Sequence, residues 1–250
     1  MSHLSEVVLC EIFSYLSVRD LCACCCVCVR WAGVLYPSSH FWEERLSIET
    51  PDEFQEDPLI RNLVTAKDKL SAYQNSWSSV HHSDNIYIKP NKVTIHRNPV
   101  AQVSDIARGR RGCSSGQHYW TVVWHGPKFG SSAVVGLATH NVELKRNGYH
   151  PLLGMTGDSW GWDLSKDVLR HDGKEYEQYP REGAGVKVAL KQAIGLIVDM
   201  DNRTLAFDVD GKYLGVAFRD LPEVELFPAI SVVYGNTEVS LIYHGHPLAG

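Results

Sequence analysis

The first fifty residues carry hydrophobic residues at the spacing of amphipathic helices. The first predicted helix rests on residues that recur at i, i+1, i+4, i+5 and i+8 and so share one face: Val8, Leu9, Ile12, Phe13 and Leu16. A second predicted helix rests on a similar run: Leu21, Cys24, Cys25, Cys28 and Trp31. Asp20 stands just before this run, where its carboxylate can cap the helix by accepting from a backbone N–H.

A polar stretch that contains a proline, Thr50-Pro51-Asp52-Glu53, predicts a domain boundary. Asp57-Pro58 then opens a third helical pattern, because proline is tolerated at the first position of a helix. The hydrophobic face of this predicted helix consists of Leu59, Leu63, Ala66, Leu70, Tyr73 and Trp77. We expect it to connect two domains and to pack on one of them.

From Asn85 onward the hydrophobic period changes to two, which is typical of strands with one buried face. Asp210-Gly211 separates two such runs and predicts a type I′ hairpin, in which both central residues need positive φ. The predicted strands are Asn85–Lys89, Val93–His96, His118–Trp124, Ala133–Thr139, Ser159–Asp163, Ala193–Met200, Thr204–Val209, Tyr213–Ala217, Phe227–Val233 and Glu238–Tyr243.

Many short strands at nearly regular spacing favour an antiparallel sandwich over a sheet built from βαβ units. The predicted fold class is therefore α+β, mainly β, with N-terminal helices followed by an antiparallel β-sandwich. The predicted segments are a helical domain at 1–50, a connecting helix at 51–82 and the sandwich at 83–247. Trp160 and Trp162 lie two apart on one strand, share a face and are predicted to belong to the sandwich core.

Composition narrows the function classes. The 250-residue chain has a net charge of −5 and a pI of about 6.2, which argues against a nucleic-acid-binding protein. No run approaches the ~18 apolar residues of a membrane span. Met1–Leu9 lacks the basic start of a signal peptide, so we expect a reducing compartment and free thiols. The histidines have no metalloprotease-like spacing, and we expect neither catalysis nor a cofactor.

Six of the seven cysteines lie between Cys10 and Cys28. Cys25 and Cys28 have half of a zinc spacing, but no second Cys/His pair follows at a finger-like distance. Cys22 and Cys26 point away from the face that carries the others, and divergent side chains cannot form a tetrahedral site. We therefore expect these residues to pack as small hydrophobes rather than to bind a metal.

The N-terminal pattern resembles the F-box, a helical module that docks onto the adaptor Skp1. The resemblance rests on Leu4, Val7, Val8, Leu9, Ile12, Phe13, Ser14, Tyr15, Leu16, Asp20, Leu21, Cys24, Val27, Cys28 and Trp31. Ser5 stands where many F-boxes have proline, and serine can also start a helix. The residues that the resemblance assigns to Skp1 binding are Val8, Leu9, Ile12, Phe13, Leu16, Leu21, Cys28 and Trp31.

The hydrophobic pattern by itself leaves two uses for these helices open. Roughly fifty residues are few for an independent core, so broad apolar faces can serve for docking to a partner helix. The same faces can instead pack against the sandwich of the chain itself, because apolar stripes on helices are more often core than interface. The F-box resemblance favours docking.

The region from Asn85 to Tyr243 resembles the SPRY (B30.2) domain, a β-sandwich that binds peptides. The resemblance rests on ordered motifs that include His118-Tyr119-Trp120, Ser159-Trp160-Gly161-Trp162-Asp163, His171-Asp172-Gly173, Leu205-Ala206-Phe207 and Gly211-Lys212-Tyr213-Leu214-Gly215. In the similar SPRY/SOCS-box family, loops grip an Asn-rich peptide. The positions that match those contacts are Arg97, Pro99, Ala101, Ser131, Tyr149, Val233, Tyr234 and Gly235. Ser131 replaces a threonine and Tyr234 a tryptophan.

Taken together, the two resemblances indicate the F-box/SPRY family. They imply a non-catalytic substrate-recognition subunit of an E3 ubiquitin ligase, with Skp1 at one end and target proteins at the SPRY surface. They further imply a partner RING ligase of the PHR type (Highwire/RPM-1-like) and work in the cytoplasm at synapses and neuromuscular junctions. The alternative is a SPRY scaffold or adaptor without a role in ubiquitination.

Overall fold

The structure is a computed structural model that describes residues 4–36, 40–180 and 187–245. It divides into two compact units, Met1–Ser71 and Ala72–Gly250. The helices are α1 (Glu6–Ser14), α2 (Val18–Cys25), α3 (Val29–Val34), α4 (His40–Glu49), α5 (Asp52–Gln55), α6 (Pro58–Arg61) and α7 (Ala66–Gln74). None of the helices in the described part of the chain is long and apolar enough to cross a lipid bilayer.

Serine side chains start the first two helices. Ser5 accepts a hydrogen bond from the backbone N–H of Val8 at 3.3 Å and so caps α1. Ser17, rather than the predicted Asp20, caps α2, because the serine is extended and its hydroxyl accepts from the backbone N–H of Asp20 at 3.3 Å. The same hydroxyl donates to the Asp20 carboxylate at 2.7 Å, so this carboxylate supports the cap from within the helix.

The predicted second helix is interrupted. Helix α2 ends at Cys25, and Cys28 adopts an extended conformation (φ −163°, ψ 161°) before α3 begins. The prediction of one continuous face from Leu21 to Trp31 was therefore wrong. Cysteine is hydrophobic enough to continue an apolar pattern through a turn, and the pattern concealed the break.

The helical unit has an aromatic core of its own. The Phe13 ring lies 5.4 Å from that of Trp31 and 6.4 Å from that of Phe41, both edge to face. Trp42 is fully buried, and its indole N–H donates to the Leu35 carbonyl at 2.9 Å. The first, helical unit therefore buries these aromatic rings in a core of its own.

The connecting segment is not the single helix that was predicted for it. Asp57 caps the one-turn helix α6, and a separate cap at Thr65 starts α7, where Thr65 and Asp68 exchange hydrogen bonds. Trp77 already belongs to the first strand. Competing caps divide the hydrophobic pattern into short helices. The domain limits 1–50 and 83–247 stay predictions, and residues 1–3, 246 and 247 lie outside the described residues.

Two antiparallel sheets form the second unit. One has the order β1-β4-β14-β6-β8-β9-β10, with β7 paired to β4, and the other the order β13-β12-β11-β5-β15-β3-β2. The strands of the first sheet are β1 (Trp77–His82), β4 (Val103–Gly109), β6 (Ala133–Ala138), β7 (Lys145–Asn147), β8 (Ser159–Asp163), β9 (Val168–His171), β10 (Lys174–Gln178) and β14 (Phe227–Val232). Those of the second are β2 (Ile86–Ile88), β3 (Thr94–Arg97), β5 (Gln117–Gly126), β11 (Ala193–Asp199), β12 (Thr204–Val209), β13 (Lys212–Phe218) and β15 (Thr237–Gly245). The predicted fold class is confirmed.

The core lies between the sheets and is rich in tryptophan. Trp160 and Trp162 belong to it, as predicted. The hairpin between β12 and β13 is also confirmed, since Asp210 and Gly211 have φ of 51° and 78°. The strand β4 was not predicted, although all seven of its residues are buried.

Candidate functional site

One end of the sandwich carries a depression of about 300 Å³ between four loops. The loops follow β3, precede β6, follow β7 and join β14 to β15. We call this site the end depression, and it is lined by Pro99, Val100, Ala101, Ser131, Tyr149, Val233, Tyr234 and Gly235. The structure thus brings together the loop residues that the SPRY resemblance assigned to peptide binding, with the exception of Arg97, and it adds Val100.

Tyrosine side chains form the accessible walls of the end depression. Tyr149 is 55% exposed and Tyr234 is 38% exposed, whereas Val233 is buried at the base. The Thr237 hydroxyl donates to the Tyr234 carbonyl at 2.8 Å and so fixes the backbone that carries this ring. Tyrosines provide rigid, amphipathic contact area with few rotatable bonds, so the end depression is suited to holding a short peptide.

Gly235 allows two of these loops to meet. A Cβ atom at this position would lie 2.6 Å from the Cα of Pro99, a separation that real Cβ atoms essentially never show. The contact is with backbone, which cannot turn away as a flexible side chain can. The shape of the end depression therefore depends on the missing side chain at Gly235.

The substitution Gly235→Ala is expected to push the loop of Pro99 away and to destabilise the sandwich by about 1–3 kcal/mol. Peptide capture should weaken as well, because Tyr234 is the neighbouring residue and would move with the loop. Urea unfolding and target capture check the two effects. Gly33→Ala in α3 is the control, since its Cβ would meet nothing within 4 Å, and it should leave both the stability of the sandwich and target capture unchanged.

Arg97 does not line the end depression. Its side chain is fully buried, and its guanidinium donates to the Asp105 carboxylate at 2.6 Å. It also donates to the backbone carbonyls of Asn98 at 3.1 Å, Val100 at 2.9 Å and Val103 at 2.9 Å. The prediction that Arg97 contacts a bound peptide is therefore corrected, because its guanidinium instead organises the loop that carries Pro99 and Ala101.

The Asp105 carboxylate is held from a second side as well. Its other oxygen accepts from the Ser83 hydroxyl at 2.6 Å and from the Asn85 amide at 2.9 Å. Because the pair with Arg97 is fully buried, each charge depends on these partners for its solvation. The network ties the base of the loop to β4 and to the chain before β2.

The helical unit displays some of the predicted Skp1-binding residues and buries others. Val8 and Ile12 are exposed at 41% and 42%, Cys28 is also exposed, and Leu16 and Trp31 are half-buried. Residues that lie inside are Leu9, Phe13 and Leu21. The predicted Skp1-binding residues therefore fall into two groups: accessible residues that a partner can contact, and buried residues that support them from inside.

Further exposed hydrophobic residues extend the accessible group along α1. We call this surface the apolar strip, and it consists of Leu4, Val7, Val8, Ile12 and Tyr15. Val8 and Ile12 lie four residues apart and so share one side of α1, whereas Leu4 precedes the capping residue Ser5 and Tyr15 follows the last residue of the helix. Leu4, Val7 and Tyr15 were not among the predicted Skp1-binding residues. The prediction considered one hydrophobic face, whereas this segment carries hydrophobic residues on more than one face.

The thiol of Cys24 in α2 is not an activated one. Burial raises the pKa of the Cys24 thiol, and the nearby Cys25 and Asp20 raise it further. A raised pKa keeps the thiol protonated and unreactive. In the described part of the chain, no three His, Cys, Asp or Glu side chains are arranged to hold a metal ion.

Two protein families match the chain in the order of its two units. Residues 4–46 match the F-box-like family, and residues 117–245 match the SPRY domain family. A relative named F-box/SPRY domain-containing protein 1 from Drosophila grimshawi is 43% identical over 244 residues, which cover 97% of this chain and 96% of the relative. A relative of the same name from Danio rerio is also 43% identical over 244 residues, covering 97% and 84%.

Solved structures share the sandwich at much lower identity. The SPRY domain of human HERC1 superposes with a TM-score of 0.53 at 18% identity, covering 67% of this chain and 97% of that domain. The PSpry domain of TRIM65 gives a TM-score of 0.52 at 17% identity and covers 74% and 95%. At these identities the comparison establishes the fold of the second unit.

Proposed function

Because this chain belongs to the F-box/SPRY domain-containing protein 1 family, with 43% identity to its members over 97% of the chain, we propose that it is the substrate-recognition subunit of an E3 ubiquitin ligase. Its helical unit binds Skp1, and its sandwich captures the target. The observation that carries the proposal is the pairing of an exposed apolar strip in one unit with a peptide-sized depression in the other.

The apolar strip supports Skp1 binding through its chemistry. Exposed aliphatic side chains in a row on α1 fit the groove of a helical partner, which is a recurrent mode of recognition. Leu9, Phe13 and Leu21 support this surface from inside, and their burial makes it rigid before binding. A rigid surface loses little entropy when a partner docks.

The end depression supports target binding. Its two tyrosines can pack against side chains of an extended peptide, while the exposed Ser131 offers a hydroxyl at the rim. The contribution of the chain to ubiquitin transfer is then positional. Holding a target beside the ubiquitin-loaded enzyme raises its effective concentration and needs no catalytic residue here.

The family membership further supports a proposal about the partner ligase and the cellular location of the complex. We propose that the RING ligase of the assembly is of the PHR type (Highwire/RPM-1-like), and that the complex works in the cytoplasm at synapses and neuromuscular junctions. Co-purification of a PHR-type ligase with the tagged full chain from neuronal tissue tests this setting. Recovery of Skp1 with only a cullin scaffold would contradict it.

Replacing both tyrosines, Tyr149→Ala with Tyr234→Ala, should weaken target capture at least ~10-fold, since large aromatic anchors dominate such interfaces. Arg97 stays unchanged in this variant, so the loop of Pro99 keeps its support. Ubiquitinated proteins recovered with the tagged full chain, after proteasome inhibition, give the measurement. Tyr213→Ala, another exposed tyrosine outside the depression, is the matched control.

The expected result is that the double tyrosine variant retains Skp1 but loses ubiquitinated proteins, with an unchanged melting temperature. A different result is expected if the chain is a stand-alone scaffold. It would recover neither Skp1 nor ubiquitinated proteins with the unmodified chain, although it would still capture the target. That outcome would replace the ligase subunit with the scaffold.

A further inference from the structure

A second and larger cavity lies at the opposite end of the sandwich. We call it the far groove; it has a volume of about 920 Å³, within the ~300–1,000 Å³ of ligand sites. The strand β6 begins beside Ser131 in the end depression and ends beside Thr139 in the far groove. Six residues of a strand span roughly 20 Å, so the far groove is a separate site.

One wall of the far groove contains a hydrogen-bond donor without an acceptor. Trp160 is only 7% exposed, and its ring stacks on that of His171 at a centroid distance of 4.6 Å. Its indole N–H has no hydrogen-bond partner among the described residues. Yet the nitrogen is not sealed off, as those of Trp120, Trp124 and Trp162 are. Because Trp160 lines the far groove, this donor is available to a ligand there.

The charged side chains that line the far groove are mostly acidic. The carboxylates are those of Asp158, Glu177, Asp220 and Glu225, whereas the basic lining residues are Arg219, His140 and His171. Asp220 and Glu225 are exposed at the rim. Asp220 lies 3.7 Å from the Arg203 guanidinium in a solvent-exposed pair, which a bound cation can replace. Carboxylates grouped around a concave site attract basic ligands.

Part of the remaining lining is apolar and favours a chain-like ligand. Leu169, Phe218, Pro222 and Val224 lie in the same groove as the carboxylates. Val224 is 45% exposed, although valine gains from burial. A peptide segment offers what these walls lack: an aliphatic side chain for the apolar patch, a cation for the rim and a backbone carbonyl for the indole donor.

We propose that the far groove binds a short peptide segment of a partner protein in which a lysine or arginine stands next to an apolar residue. A backbone carbonyl of this segment accepts from the indole N–H of Trp160. The basic side chain meets Asp220 and Glu225, and the apolar neighbour packs on Phe218. The site is independent of the end depression, so the chain can hold two segments at once.

A resin-bound library of random hexapeptides, screened with the fluorescently labelled full chain, tests the proposal. We expect captured sequences to be enriched in lysine or arginine beside an apolar residue. Trp160→Phe keeps an aromatic ring and removes the donor, and it should weaken binding of the selected peptides by about three- to tenfold. The double substitution Asp220→Asn with Glu225→Gln preserves shape and should weaken it by about tenfold or more.

The end-depression variant, Tyr149→Ala with Tyr234→Ala, is the matched control and should bind these peptides like the unmodified chain. If Trp160→Phe fails to fold, the variant Asp220→Asn with Glu225→Gln still tests the proposal. The proposal would be overturned if the peptides whose capture survives Tyr149→Ala with Tyr234→Ala lacked a basic bias, if no such peptide were captured, or if neither groove variant changed their binding. So would a concentration-dependent dimer that Val224→Asp abolishes, since the occupant would then be a second copy.

Discussion

Substituting Arg97→Ala is expected to destabilise the sandwich by about 3–5 kcal/mol, because it leaves the Asp105 carboxylate buried without its cation. Arg97 and Asp105 are both fully buried, and their charged atoms are 2.6 Å apart. The substitution also releases the backbone carbonyls of Asn98 and Val100 in the loop that carries Pro99, and that of Val103 at the start of β4. Peptide capture should therefore be lost together with stability.

Urea unfolding, followed through the β-sheet circular dichroism signal, measures this effect. Lys145→Ala is the control, because its pair with Asp84 is 2.8 Å long but lies at the surface; exposed pairs contribute about 0–1 kcal/mol. Adding Asp105→Asn to Arg97→Ala should restore part of the loss, since no buried charge is then left unpaired. A loss below 1 kcal/mol for Arg97→Ala would show that the pair does not organise the loop.

The second large effect concerns Skp1. The double substitution Val8→Asp with Ile12→Asp places two charges on the apolar strip and should weaken Skp1 binding by at least ~100-fold, because unpaired charges in an apolar interface are costly. Both side chains are more than 40% exposed. The helical unit should therefore stay folded, and the sandwich should keep its melting temperature.

Titration calorimetry with purified Skp1 gives the affinity. Glu11→Ala, an exposed position of α1 outside the apolar strip, is the control and should bind normally. Substituting Leu9 and Phe13 would be a poorer test, because both are buried and their replacement by Asp unfolds the helical unit. Unchanged Skp1 binding by the Val8, Ile12 variant would remove the strip from the interface.

The sequence predicted strands of two kinds: those with more exposed positions, such as β5, and short apolar runs that are wholly buried, such as β6. It concealed β4, because Asp105 and Arg108 stand at buried positions and interrupt the alternation. The cation that compensates Asp105 comes from Arg97 in another strand, and no local pattern shows such a pairing. The strand β10 was concealed for the opposite reason, since all five of its residues are exposed.

The candidate sites show a similar limit. Resemblance identified which loop positions come together at the end depression, but it could not show that the Arg97 side chain points inward. Periodicity placed Val8, Leu9, Ile12 and Phe13 on one broad face, while the structure separates them into exposed and buried pairs. Sequence spacing fixes the direction of a side chain on its helix, and tertiary packing decides which direction is covered.

Hydrogen–deuterium exchange of the full chain, with and without Skp1, is the most direct test of the adaptor mechanism. We expect Skp1 to protect amides of the first three helices, around the apolar strip, and to leave the loops of the end depression exchanging as before. Protection confined to the sandwich, or no protection at saturating Skp1, would contradict the division of the chain into a docking unit and a target-binding unit.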